Sequence, residues 1–114
     1  MSEDIAATLE KAADLIETVG HCKDKLFTQD PETLKPNAYC LMGGLVFAMK
    51  NGGQVLIDRY VAVLGVALDG NPLGAMYRLI EWNNAPERTA AEVVDLLKTA
   101  AKDVRNANTP TPSQ

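Results

Sequence analysis

The residue types best suited to chemistry in this chain are its one histidine and two cysteines, His21, Cys22 and Cys40. Two thiolates and an imidazole would be three of zinc's four usual ligands. The spacing argues against that use: an adjacent His-Cys pair with a distant second cysteine matches no finger pattern, and a carboxylate or water would have to complete the set. No metal and no other cofactor is expected. The same residues allow a nucleophile. If Asn37 caps a helix, Cys40 stands at its third position, where free backbone N–H groups and the helix dipole favour a thiolate. A thiol enzyme would also need a base, and His21 is the sole imidazole. Packing is the stronger reading of Cys40, because it sits in the apolar run YCLMGG and free cysteine is among the most buried residue types. The chain is expected not to be an enzyme; a small thiol-dependent enzyme or redox sensor using Cys40 is the alternative.

A second constellation is Trp82, Asn83 and Asn84 with Arg88, which joins the only Trp to two amides and a guanidinium. Trp and Arg dominate binding hot spots, so this group and Cys40 are the residues expected to meet a partner. The structural alternative is favoured over it: Trp82 covers one end of the core, an Asn satisfies loose carbonyls, and Arg88 closes a helix junction by hydrogen bonds.

These residues need elements to position them. Ser2 can cap a first helix with Glu3 and Asp4 in its first turn. Ile5, Leu9, Ala12, Ala13, Ile16 and Val19 recur at helical spacing, and Gly20 is a natural stop. Residues 21–37 read as a long loop punctuated by Pro31 and Pro36, with Leu26, Phe27 and Leu34 available to pin it. Asn37 opens a second helix, apolar on most sides and therefore central. Gly43 and Gly44 inside it cost about 1 kcal/mol each in propensity, which points to close helix packing, or to close approach by a backbone or ligand. Asn51-Gly52-Gly53 ends it.

Residues 54–69 contain β-formers, but their length and the Ile57, Tyr60, Val61, Leu64, Leu68 series favour a helix. Asp69-Gly70-Asn71-Pro72 is a turn. Leu73 to Trp82 reads as a fourth helix with Leu73, Met76, Tyr77 and Ile80 on its apolar face. Thr89-Ala90-Ala91-Glu92 is a capping box opening a fifth, with Val93, Leu96, Leu97, Ala100, Ala101 and Val104 inward. The expected fold is all-α, a bundle of about five helices in one domain over residues 1–105. The polar, proline-bearing residues 106–114 form a disordered tail.

Composition limits the function classes. At 114 residues the chain fits one domain, and 46 % hydrophobic residues suffice for a core without metal or disulfide staples. A net charge of −4, without acidic runs, argues against binding a phosphate backbone, so no nucleic acid is expected. The N-terminus lacks the basic and apolar regions of a signal peptide, and no stretch is long and apolar enough for a membrane span. A cytosolic protein with free thiols is expected, and no membrane partner.

The run YCLMGGL followed by WNNAPERTAAEVVDLLKTA resembles a small family of unknown function common in actinobacteria and their phages. That family's pattern falls here on Gly20 and Cys22, on Cys40 and Gly43, on Trp82 and Asn83, and on Arg88, Thr89, Glu92 and Val93. Asn84 replaces the family's usual acid. The resemblance implies a helical domain of bacterial or phage origin. The expected function is a non-enzymatic protein-binding or regulatory factor; a structural homo-oligomer, pairing through helices around residues 38–68, is the other reading.

Overall fold

The computed structural model describes residues 4–49 and 54–108. Among the described residues there are five helices: α1 (Ile5–Val19), α2 (Leu41–Ala48), α3 (Gln54–Asp69), α4 (Ala75–Asn84) and α5 (Ala90–Asn108). The segment read as a loop holds a small antiparallel pair, β1 (Phe27–Gln29) and β2 (Pro36–Tyr39). The fold is thus mostly helical but not all-α. The strands escape sequence reading because β1 has three residues, while Pro36 and Asn37 read as turn and cap. Proline is tolerated at the first position of a strand, where Pro36 stands.

The core follows the helical periodicities closely. Leu9, Ala12, Ala13 and Ile16 of α1 are buried against α5 and α2, and Val93, Leu97, Ala100 and Ala101 face them from α5. Segment 54–69 is helical, with Tyr60, Val61 and Leu64 buried. Thr89 and Glu92 form the expected capping box: Glu92 Oε1 accepts from Thr89 N at 2.9 Å, and Thr89 Oγ1 accepts from Glu92 N at 3.2 Å. Gly20 ends α1 at φ 143°, donating its N–H to Ile16 O. A Cβ there would sit 2.8 Å from Asn37 O, so both conformation and space require glycine.

Several boundaries differ from expectation. Ser2 lies outside the described residues, and Asp4 caps α1 by accepting from Ala7 N at 3.0 Å. The Asn51–Gly53 stop also lies outside them; α2 ends at Ala48. Helix α5 runs through Asn108, and near its end Arg105 is tied bidentately to Glu10 of α1. Asn37 is no cap; it is in β2 and accepts from Thr28 Oγ1 at 2.6 Å. The α2 cap is Cys40, extended at φ −82° and ψ 177°, whose Sγ accepts from Gly43 N at 3.2 Å.

The largest departure is the facing of α4. Its buried residues are Ala75, Leu79 and Asn83, at i, i+4 and i+8, whereas Leu73, Tyr77 and Ile80 are exposed. Close packing explains the choice. A Cβ on Gly65 of α3 would come within 2.6 Å of the Ala75 side chain, so two small residues set the α3–α4 contact. The inward face ends in a polar residue, which hides it from a hydrophobic count.

Candidate functional site

Asn83 is the hub of a long-range polar junction. Its side chain is at the inner end of α4 and the residue is 2 % exposed. Oδ1 accepts from Leu41 N at 3.0 Å, meeting one of the unpaired donors at the start of α2. Nδ2 donates to Cys22 O at 3.3 Å and to Asn84 Oδ1 at 3.0 Å. Those two backbone groups, a donor and an acceptor, fix the orientation of the amide. His21 Nε2 lies 2.8 Å from the same Oδ1 and must therefore be the donor there.

The neighbouring residues extend the junction. Asn84 Oδ1 accepts from Asp24 N at 2.9 Å, where Asp24 takes a left-handed turn conformation. Lys23 Nζ donates to the carbonyls of Ala85 at 2.6 Å and Pro86 at 3.0 Å, placing a cation at the negative end of α4. Leu26 O accepts from Cys40 N at 3.0 Å. Gly43 lies directly under that carbonyl: a Cβ on it would fall 1.7 Å from Leu26 O. The glycine pair thus serves two close approaches, Gly43 to the backbone of the 21–27 segment and Gly44 to Ile16 of α1.

The five residues singled out in the sequence divide between two places. Cys40, Asn83 and Asn84 line a cavity of about 300 Å³ between the 24–26 turn, the start of α2 and the end of α4. Its other walls include Leu26, Met42, Leu79 and Ile80. Trp82 and Arg88 lie instead toward α5, beside a shallower groove of about 370 Å³ that also meets Glu92 and Leu96. There the Arg88 guanidinium stacks 4.1 Å from the Trp82 ring centre, donates through Nε to Trp82 O at 2.8 Å, and pairs with Glu92 at 3.1 Å. Those contacts are the junction closure expected of Arg88.

The chemistry open to the cavity is limited by what already holds its polar groups. Burial pushes the Cys40 thiol up, only partly offset by the N–H groups of Gly43 and Met42. Cys22 is likewise raised, by burial first and then by the nearby Cys40 thiolate charge. Both are therefore less nucleophilic at neutral pH than a free cysteine. Among the described residues, no three of His, Cys, Asp and Glu gather in a way that could hold a metal ion, so His21, Cys22 and Cys40 form no ligand set. No described helix is long and apolar enough to cross a membrane.

The family comparison covers this whole arrangement, since its match runs over residues 1–103. The chain belongs to the family of unknown function DUF6197. No curated protein and no solved structure matches it. Within this DUF6197 chain, sequence reasoning missed Leu26, Met42, Leu79 and Ile80 as cavity walls and Lys23 as a clamp. Gly43 was the available signal, because an interior glycine in an apolar helix marks where another backbone passes.

Proposed function

We propose that this protein is a non-enzymatic binding factor that takes an apolar side chain of a partner protein into the cavity at the α2–α4 junction. The observation that carries this reading is the cavity itself, about 300 Å³ and walled mainly by aliphatic side chains. At its edge Leu26 is 52 % and Ile80 38 % exposed. Apolar pockets with a few fixed polar groups are the usual form of a recognition site. The engagement of His21 by Asn83 and the raised thiols support a binding role over a catalytic one. A cytoplasmic setting, in a bacterium or its phage, fits the resemblance and the paired-free thiols.

The test is affinity capture from native lysate with the tagged full chain, beside Ile80→Glu at the cavity and Val66→Glu on α3 away from it. Folding of each is checked by circular dichroism and urea titration. A protein held by the wild type and by Val66→Glu but lost with Ile80→Glu is expected. Capture that ignores Ile80→Glu, or no capture above background, overturns the reading.

Self-association is a second reading, favoured by Leu73 just before α4 and Tyr77 on it, which are 77 % and 78 % exposed and extend the Ile80 edge. The homodimer expected through residues 38–68 has less support, because α2 spends Leu41, Met42, Leu45 and Ala48 on the core. Sedimentation at rising concentration distinguishes it: only monomer at high concentration removes this reading.

A further inference from the structure

We propose that Cys22 and Cys40 are a redox pair that closes to a reversible intramolecular disulfide and, in doing so, releases the cap of α2.

The backbone sets the two side by side. Tyr39 N donates to Gly20 O at 2.8 Å, and Cys22 N donates to Tyr39 O at 3.0 Å. This is a parallel bridge with His21 opposite Tyr39. Extending this isolated bridge by one residue along each segment sets Cys22 opposite Cys40. Cys40 remains extended and hydrogen-bonds on its other edge to Leu26 O, so the strand geometry reaches it. Paired residues in neighbouring strands project from the same face, and alternation puts these two opposite to His21 and Tyr39. Adjacent strands run about 4.7–4.9 Å apart, inside the roughly 4.4–6.8 Å range of Cα separations that a disulfide spans. The Cys40 thiolate charge also bears on Cys22, after burial, in raising its thiol.

The bond competes with one buried partner of Cys40 Sγ, the Gly43 N–H at 3.2 Å. Cys22 Sγ donates to Lys25 O at a long 3.5 Å and is half-buried, so a small oxidant can reach it. Cys40 is buried and lines the cavity. With a low-molecular-weight disulfide as oxidant, the Cys22 thiolate attacks one of its sulfurs and a first small thiol leaves. The Cys40 thiolate then attacks Cys22 Sγ, forming the S–S bond and expelling the second small thiol. Two protein thiols are oxidised by two electrons, and one small disulfide is reduced to two thiols. Turning Cys40 Sγ toward Cys22 takes the acceptor away from Gly43 N–H, which is buried at the start of α2. The bond itself does not depend on the binding role proposed above; only an effect on partner affinity would.

The purified full chain is equilibrated with oxidised and reduced glutathione at fixed ratios, quenched by alkylation and weighed. The expected product is monomeric, lighter by two hydrogens, with the Cys22 and Cys40 peptides joined and separated again by dithiothreitol. At one ratio the joined fraction should be greater for folded protein than for protein in urea. An equal or smaller fraction, glutathione adducts alone, or links only between molecules overturns the pair. Cys22→Ser and Cys40→Ser should each give only an adduct; serine preserves a capping oxygen at position 40. Amide exchange read by NMR tests the release: Gly43 should exchange several-fold faster when oxidised, and a disulfide with unchanged Gly43 exchange overturns the cap release.

Discussion

Two regions of this molecule are held by different physics. The α1–α5 pair is an aliphatic seam, in which Leu9, Ile16, Val93 and Leu97 interlock and the charged groups stay outside as ion pairs such as Glu17–Lys98, 3.8 Å apart. The junction around Asn83 is held by directional bonds between segments 42 and 61 residues apart, with one amide serving α2, the 21–24 turn and its neighbour Asn84. A seam of methyl groups tolerates exchange among shapes of similar volume. A buried amide with backbone partners does not, because each lost partner leaves a desolvated polar group. The junction, not the seam, is where the cavity and both cysteines lie.

The largest effect should come from Gly43→Ala. Its Cβ would overlap Leu26 O at 1.7 Å, and the clashing atom is backbone, so either α2 or the 24–27 turn must move. The cost should reach or exceed the ~3 kcal/mol upper end of ordinary overpacking. Urea denaturation measures it. A loss below about 1 kcal/mol would mean that the turn does not rest on α2 as described, and the contrast between regions would weaken.

The next effect sharpens the contrast with one substitution on each side. Asn83→Leu keeps the volume but strands Leu41 N–H and Cys22 C=O, each worth about 1–3 kcal/mol when buried and unpaired. The sum should be about 2–6 kcal/mol. Leu97→Met, at an equally buried position of the seam, should cost less than about 1.5 kcal/mol. The ratio of the two denaturation shifts is the measurement. Comparable losses would show that the junction is held by packing after all.

The same contrast explains what could be read from the sequence. The seam was legible because helical periodicity is local: most residues predicted inward on α1 and α5 are the buried ones, with Ile5 and Val104 partly buried and Val19 exposed at the helix end. The capping box at Thr89 was legible for the same reason. The junction was not, because its partners are distant in sequence. Nothing near Asn83 announces that Leu41 N–H and His21 will meet it. On α4 a polar inward residue, and a contact between two small ones, Ala75 and Gly65 of α3, reversed the face that apolar counting selects. The three-residue strand β1 and the proline-led β2 fell below any pattern, and with them the register that sets Cys22 beside Cys40. Cys40 was recognised as a helix-start residue, but one position rule, Asn as cap, displaced it from the capping role it holds.

The smallest effect belongs to the outer edge of the seam and concerns pH. Glu10 is held below the usual carboxylate range by its hydrogen bonds to Arg105, with the guanidinium charge adding to them. A carboxyl depressed in the folded state contributes stability that is present above its unfolded value and is lost as pH falls through its folded value. The contribution should therefore be complete at neutral pH and fade only from about pH 4 downward, starting near the ordinary glutamate value. The pair is solvent-exposed, so water and salt screen it and the effect should be near the limit of detection. Thermal unfolding of Glu10→Gln against wild type, at pH 7 and pH 3 in low salt, checks the sign. The small deficit of the variant at pH 7 should shrink at pH 3, where the wild-type carboxyl is increasingly protonated. A deficit that grows on acidification would mean that Glu10 acts on the α1–α5 seam through something other than its charge.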